Sequence, residues 1–316
     1  MKILVTGATG FVGHALISNL IKKAEYKIFI LSRNFDERFP SNVEQIVGNS
    51  EGSFFKTSVP KHIDTIVHLA GRAHILNEQV DNPLHEFREV NVEGTLHLAH
   101  QALENKVKRF IFMSSIGVNG SSTIDKPFNE LDEPHPHADY AVSKLEAEQA
   151  LKELFKNTET ELVIIRPPLV YASNAPGNFA RLLKLASTNL PLPFSGVNNK
   201  RSFIALDNLV DFIECCIKHP CAKNELFLIS DNEELSTKQL VTYLRQGMAK
   251  SPNLIYVPNF VMKLGAICLG KMKLYEQLFG SLEVDASKAK TLLGWQPPLN
   301  AISAVRQAGE AYSKLK

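Results

Sequence analysis

The sequence is short of the features that would mark a disulfide scaffold, a metal protein, a nucleic-acid binder or a membrane-spanning chain. It holds only four cysteines, Cys215, Cys216, Cys221 and Cys268, none at metal-ligand spacing and two of them adjacent in an apolar segment. No disulfide framework or metal site is expected, and buried free thiols in a reducing compartment account for them. No sign of charge dominates: 35 Lys and Arg face 33 Asp and Glu, for a net charge of +2, and no basic run interrupts the mixture. That removes the electrostatic case for nucleic acid, and any anionic partner must be met by local groups. Long apolar runs are missing as well. The longest, near Phe260 to Leu269, carries Lys263 and falls short of the roughly 20 residues of a membrane span. An amphipathic contact through residues 254–282 stays open. No signal peptide is visible, since Met1-Lys2-Ile3 enters an apolar run too short for one, so a cytoplasmic protein is expected.

What is present is an ordinary globular composition, 44% hydrophobic and 22% charged, in 316 residues that fit one large domain or two unequal ones. The informative stretch is Ile3 to Gly13. An apolar run (Ile3, Leu4, Val5) breaks at Gly7, two more glycines follow at Gly10 and Gly13, and helical spacing begins with Phe11, Val12, Ala15, Leu16 and Leu20. Strand, tight turn and helix in that order suit a dinucleotide: the turn needs a residue without Cβ, and the helix N-terminus offers unpaired N–H groups to a diphosphate. A tight structural turn is the plainer alternative. Further strand-like runs are Lys27 to Leu31, Gln45 to Gly48, Thr65 to Leu69, Arg109 to Met113 and Leu162 to Ile165, with a late one in residues 224–230. After the second run, where an acid would bond a ribose 2′-hydroxyl, stands Arg33, which favours a 2′-phosphate and hence NADP(H), while NAD(H) is still admitted. Arg33 could also stack on adenine or face solvent.

Tyr140 and Lys144 lie four residues apart on one helical face, and a neighbouring ammonium lowers a tyrosine pKa, which makes Tyr140 a candidate acid/base. Ser115 ends the fifth strand-like run, 25 residues before Tyr140 (140 minus 115), with Ser114 as its rival; strand alternation sends only one of the two toward a ligand. The spacing Gly-x-x-Gly-x-x-Gly, Ser115 with Tyr140-Ala-Val-Ser-Lys144, Arg166-Pro-Pro-Leu-Val-Tyr171 and Arg201-Ser-Phe-Ile-Ala-Leu-Asp-Asn together resemble the extended short-chain dehydrogenase/reductase superfamily that works on sugar nucleotides. The resemblance spans essentially the whole chain.

It implies an α/β fold: a doubly wound parallel Rossmann sheet in residues 1–168 and 202–232, and a smaller, mostly helical substrate-binding lobe in 169–201 and 233–316. It implies Ser115, Tyr140 and Lys144 as catalytic. Cofactor contacts are implied for Gly7, Thr9, Gly10, Phe11, Val12 and Gly13, for Leu69, Ala70 and Gly71, and for Pro167, Tyr140 and Lys144. Asn49 stands where the family often has an Asp at the adenine edge, and Asn91 is the asparagine that holds the active-site end of its helix. His68 is expected in the core, and Arg72 and His74 either face phosphates or are plain surface. His135 and His137 read as loop surface, and Trp295 as core. Ser115, Asn178 and Arg201 are substrate contacts, with helix capping as the alternative for Asn178; Ser202 and Ala205 depart from the family's Asp and His. The implied activity is at C4 of a UDP-hexose or UDP-N-acetylhexosamine derivative in bacterial polysaccharide precursor biosynthesis. Arg33 tips the reading toward a 4-ketoreductase over a 4-epimerase, and a 4,6-dehydratase is disfavoured because no acidic pair follows Ser115. A homodimer is compatible with the pattern. An inactive NADP-binding regulatory protein is the alternative of another class, opposed by the intact Ser115, Tyr140 and Lys144.

Overall fold

Strands covered on both faces need near-continuous apolar runs, and the chain supplies them: Ile3, Leu4 and Val5, then Ile66 and Val67, then Phe110 to Phe112, then Val163 to Ile165, all buried. The computed structural model describes residues 1–48, 57–72 and 82–315. In chain order its elements are β1 (Lys2–Thr6), α1 (Phe11–Leu20), β2 (Lys27–Ser32), β3 (Val43–Val47), β4 (Thr65–His68), α2 (Pro83–Arg88), α3 (Gly94–Glu104), β5 (Arg109–Met113), α4 (Asp139–Phe155) and β6 (Glu161–Arg166). Then come β7 (Leu169–Tyr171), α5 (Gly177–Ala186), β8 (Phe203–Ala205), α6 (Leu206–Lys218), β9 (Leu226–Leu228), α7 (Thr237–Gly247), α8 (Asn259–Cys268), α9 (Met272–Phe279), α10 (Ser287–Leu293) and α11 (Ala301–Lys314).

Seven strands form one parallel sheet in the order β3-β2-β1-β4-β5-β6-β9. The chain runs outward from β1 to β3, then returns to lay β4 against the other side of β1. The order reverses at that point, so the loops after β1 and β4 flank a crevice at the C-terminal end of the sheet, where open α/β sheets take their ligands. Alternation along each strand feeds two layers: Ile3 and Val5 pack with α1, α6 and α10, while Leu4 packs with α3 and α4. Trp295 is core as expected, edge-on to Phe212 at 4.8 Å with its Nε1 donating to Asp211 Oδ2 at 2.7 Å.

A second apolar cluster gathers α5, α7 and α11 around the short parallel pair β7–β8. Its first long helix, α7, is set by a capping box in which Ser236 and Gln239 satisfy each other's backbone N–H groups. The packing is not divided as the expected lobe boundaries are. Residues 287–295 fall in the expected smaller lobe, yet Ala289, Leu293 and Trp295 pack with the main sheet. Strand β8 serves both clusters, with Ile204 turned to one and Phe203 and Ala205 to the other. The thiols also differ from expectation: Cys216 is buried and Cys215 half-buried on α6, but Cys221 and Cys268 are exposed.

Candidate active site

The loop after β1 is shaped by two close approaches. Gly7 has φ +70°, and a Cβ there would stand 2.6 Å from the Ala70 nitrogen; a Cβ on Gly13 would stand 2.2 Å from the Gly7 carbonyl oxygen. Both side chains are therefore forbidden, and α1 starts hard against the strand loop. Its N-cap is Gly10, which brings no capping side chain, and its first turn holds no acid. Bare amides and an uncompensated helix dipole remain for an anion. These features fit a dinucleotide diphosphate, with Thr9 and Gly10 exposed and Phe11 and Val12 half-buried beside it. Across the crevice the loop after β4 is pinned by Thr6: the Leu69 and Ala70 nitrogens donate to its carbonyl and hydroxyl, at 3.2 and 3.3 Å.

At the end of β2, Arg33 is exposed. Asp36, three residues on, chelates Arg38 through Nε at 2.9 Å, and Arg38 Nη2 reaches the Thr9 carbonyl at 3.4 Å. A second guanidinium thus returns to the glycine loop, paired with Asp36, whose carboxyl Arg38 holds down at about 2. Neither was legible, because both sit in an irregular exposed segment. Asn49 and His74 lie outside the described residues.

Asn91 occupies a single π-helical turn, Glu89–Glu93, inserted between α2 and α3. It is fully buried, accepts from the Arg72 nitrogen at 2.8 Å, and donates to the Arg72 carbonyl and to Ser143 Oγ at 3.1 and 3.0 Å. It ties the loop after β4 to α4. Between them, a Cβ on Gly71 would stand 3.1 Å from Asn91 Oδ1 and 3.2 Å from Lys144 Nζ. His68 is a core histidine, held between Thr6 Oγ1 (2.6 Å) and Thr95 Oγ1 (2.9 Å), and burial pushes it down to about 3.

Tyr140 and Lys144 share the first turns of α4. Lys144 Nζ donates to the Met113 carbonyl at 2.9 Å, lies 4.6 Å from the Phe112 ring centroid and 6.0 Å from that of Tyr140. The expectation that the ammonium lowers the phenol is reversed in this state: burial pushes Tyr140 up to about 12 and Lys144 down to about 8. Desolvation dominates both shifts, opposed on Lys144 by the Glu148 carboxylate. Ser115 caps the short turn Ile116–Val118, its Oγ accepting from the Gly117 nitrogen at 3.1 Å. A Cβ on Gly117 would touch both Ser115 Oγ and Ala141 Cβ at 3.4 Å, so that turn seats against the start of α4. Ser114 points elsewhere, its hydroxyl bonded to Glu148. Glu148 also takes Arg166 Nε at 2.9 Å, and Arg166 Nη1 reaches Asn119 Oδ1 at 2.9 Å, all four side chains being buried. Pro167 is buried too, its carbonyl accepting from Ile116 at 3.0 Å. Tyr171 donates to the buried Asp231 at 2.7 Å.

Asn178 and Arg201 come together in one cavity of about 280 Å³ between α5, α7 and α9. Asn178 is not a cap: Pro176 precedes the helix, and Asn178 donates to Gln277 Oε1 at 2.9 Å. Arg201 is half-buried and donates to the Gly280 carbonyl at 3.0 Å. Exposed Arg181, one turn along α5 from Asn178, lines the same cavity and was missed, since on a helix face it reads as plain surface.

The sequence profile of the NAD dependent epimerase/dehydratase family matches residues 3–230. The chain belongs to that family. Over 313 residues it is 39% identical to a UDP-glucose 4-epimerase of Vibrio cholerae, covering 98% of this chain and 95% of the relative. It is 29% identical over 269 residues to the N-acetyl-alpha-D-glucosaminyl-diphospho-ditrans,octacis-undecaprenol 4-epimerase of Escherichia coli O157:H7, covering 84% and 78%. Its fold matches a UDP-glucuronic acid 4-epimerase from Bacillus cereus, solved with NAD, at a TM-score of 0.77 and 23% identity over 100% and 99% of the two chains. This epimerase/dehydratase chain is thus a sugar-nucleotide enzyme of the NAD-dependent class on a Rossmann fold. Among the described residues, no helix is long and apolar enough to cross a membrane, and no cluster of metal-ligating side chains is found.

Proposed function

We propose that the chain is a 4-epimerase acting on a UDP-hexose or UDP-N-acetylhexosamine. The observation that carries the reading is the set of Ser115, Tyr140 and Lys144 gathered at α4 beside the glycine crevice, in a chain aligned almost end to end with a UDP-glucose 4-epimerase. A bound nicotinamide would supply the site that takes up and returns hydride. The chain supplies the proton chemistry. Tyr140 takes the proton of the C4 hydroxyl as that carbon is oxidised and returns it on reduction, and Ser115 holds the same oxygen by hydrogen bond. A phenol near 12 is a poor base alone, so Lys144, partly charged near 8, is needed to stabilise the phenolate and to reach the nicotinamide ribose. Arg201 grips the substrate diphosphate from the cavity between α5, α7 and α9, with Asn178 beside it.

The 4-ketoreductase remains a second reading on account of Arg33. The exposed Arg33 guanidinium favours NADP(H) over NAD(H), whereas that of Arg38, on the Thr9 carbonyl, is offset by Asp36. We place the enzyme in the cytoplasm, where nucleotide sugars are made. A mass-resolved assay of purified protein against a panel of UDP-sugars, with and without NADPH, tests the reading. Interconversion of C4 epimers without added reductant is expected; turnover only of 4-keto sugars, consuming NADPH, would replace the epimerase with the reductase. Protein that binds NADPH yet turns over nothing in the panel would favour the regulatory alternative.

A further inference from the structure

The helix pair α8–α9 has no buried residue in either member. Phe260, Leu264 and Ile267 are 74%, 59% and 55% exposed, at the i, i+4, i+7 positions of one ridge, and Leu269, which caps the helix, is exposed at 74%. Exposed apolar side chains in contiguous rows mark a binding face. Yet the base of this segment is firmly set: buried Arg245 donates to the carbonyls of Pro252 and Asn253 and to those of Ala186, Thr188 and Leu190. The rear of α9 is equally fixed, since Thr237 and Asn199 bond the Leu278 carbonyl and Leu274 and Leu278 line the Arg201 cavity. An apolar ridge is therefore held outward by an anchored support.

Charge decides what covers it. Between Glu234 and Glu276 the chain has no acidic residue at all, although 33 are spread through 316 positions. Exposed Lys263, Lys271 and Lys273 flank the ridge. A second copy docking by the same face would bring these cations against one another. An anionic surface would not. At 10 and 8 residues, the two helices suit lying in an interface and not crossing it. We propose that α8–α9 is a membrane-docking face that lays the Phe260–Leu264–Ile267 ridge into an anionic lipid bilayer, with Lys263, Lys271 and Lys273 at the headgroups. Since α9 also walls the Arg201 cavity, docking places the mouth of that cavity beside the lipid surface.

The test is co-sedimentation of the full chain with vesicles of phosphatidylglycerol and phosphatidylethanolamine, or of phosphatidylcholine alone, at low and high salt. Binding to the anionic vesicles, weakened by salt and by at least about tenfold on neutral ones, is expected. The double substitution Leu264→Asp, Ile267→Asp should abolish it, and Lys271→Gln with Lys273→Gln should weaken it roughly tenfold. Circular dichroism and turnover of a water-soluble nucleotide sugar, both unchanged, show that the variants are folded. No binding to anionic vesicles, or equal binding to neutral ones, overturns the proposal. So does a dimer in sedimentation velocity that Leu264→Asp splits into monomers, which would assign the face to a second copy. The inference stands apart from the proposed sugar chemistry: a wild-type chain that turns over its substrate fully yet never binds anionic vesicles fails the first alone, and one that binds them without turnover fails the second alone.

Discussion

Two sets of polar side chains meet along α4, and they differ in how completely they are used. Behind the helix, Arg166 spends its guanidinium on Glu148 and Asn119, and Glu148 also takes Ser114. In front, among the described residues, Ser115 accepts one backbone N–H, Lys144 gives one hydrogen bond, and the Tyr140 side chain has only ring contacts, with Phe87 at 6.1 Å. Burial alone does not tell them apart, since Lys144 is as buried as Ser114. Unspent hydrogen-bonding capacity does. A saturated buried group holds a loop in place, whereas an unsaturated one in a crevice is available to a ligand.

The sharpest way to break this contrast is Tyr140→Phe. It keeps the ring and its packing, and kcat should fall ~10²- to 10⁴-fold with nucleotide-sugar binding nearly intact; near wild-type turnover would sink the mechanism. Ser115→Ala should share that loss, while Ser114→Ala should alter melting more than turnover. Next comes the rear set: Arg166→Met leaves Glu148 buried without its cation, and chemical denaturation should register a loss of roughly 3–5 kcal/mol. A smaller loss than Ser115→Ala produces would mean that the network is not structural.

Lys144→Met probes the border of the two sets through pH. Burial depresses the ammonium from 10.5 to about 8, so below pH 8 the folded protein carries a charge it holds poorly, and the unfolded chain keeps its proton up to 10.5. Wild-type stability should therefore climb relative to the variant by about 3 kcal/mol between those limits. Melting curves across the range check it, and a flat difference refutes the shift. Arg201→Ala should raise KM for the nucleotide sugar by one or two orders of magnitude, about 1.5–3 kcal/mol. Smallest is the cofactor preference: Arg33→Asp should invert the affinity order of NADP(H) and NAD(H), and equal wild-type affinities would remove its basis.

The sheet was largely readable because strands buried on both faces leave uninterrupted apolar runs, and a glycine turn before a helix leaves a spacing. Alternation says only that one of Ser114 and Ser115 faces the crevice; the choice of Ser115 rests on the family resemblance, and the structure turns Ser114 to Glu148. Three features were not readable. Strand β3 begins two residues before its expected run, because Glu44 breaks the apolar signal. Asp36 and Arg38 act through a loop that doubles back on Thr9, and no local pattern encodes such a return. The direction of the Tyr140 shift depends on how deeply the pair is desolvated, and spacing along a helix carries no depth.

Strand β8 is only three residues long, and its neighbouring side chains serve different apolar clusters. It acts as a party wall. Melting either cluster would strip one face of that wall and expose its backbone pairing with β7, so the free energy of each cluster is a function of the other. Heating the protein should give one calorimetric transition across both, and amides on the two sides of Ile204 should exchange with solvent at the same rate-limiting opening. Cutting the chain at a lobe boundary should yield two fragments that refold only when mixed.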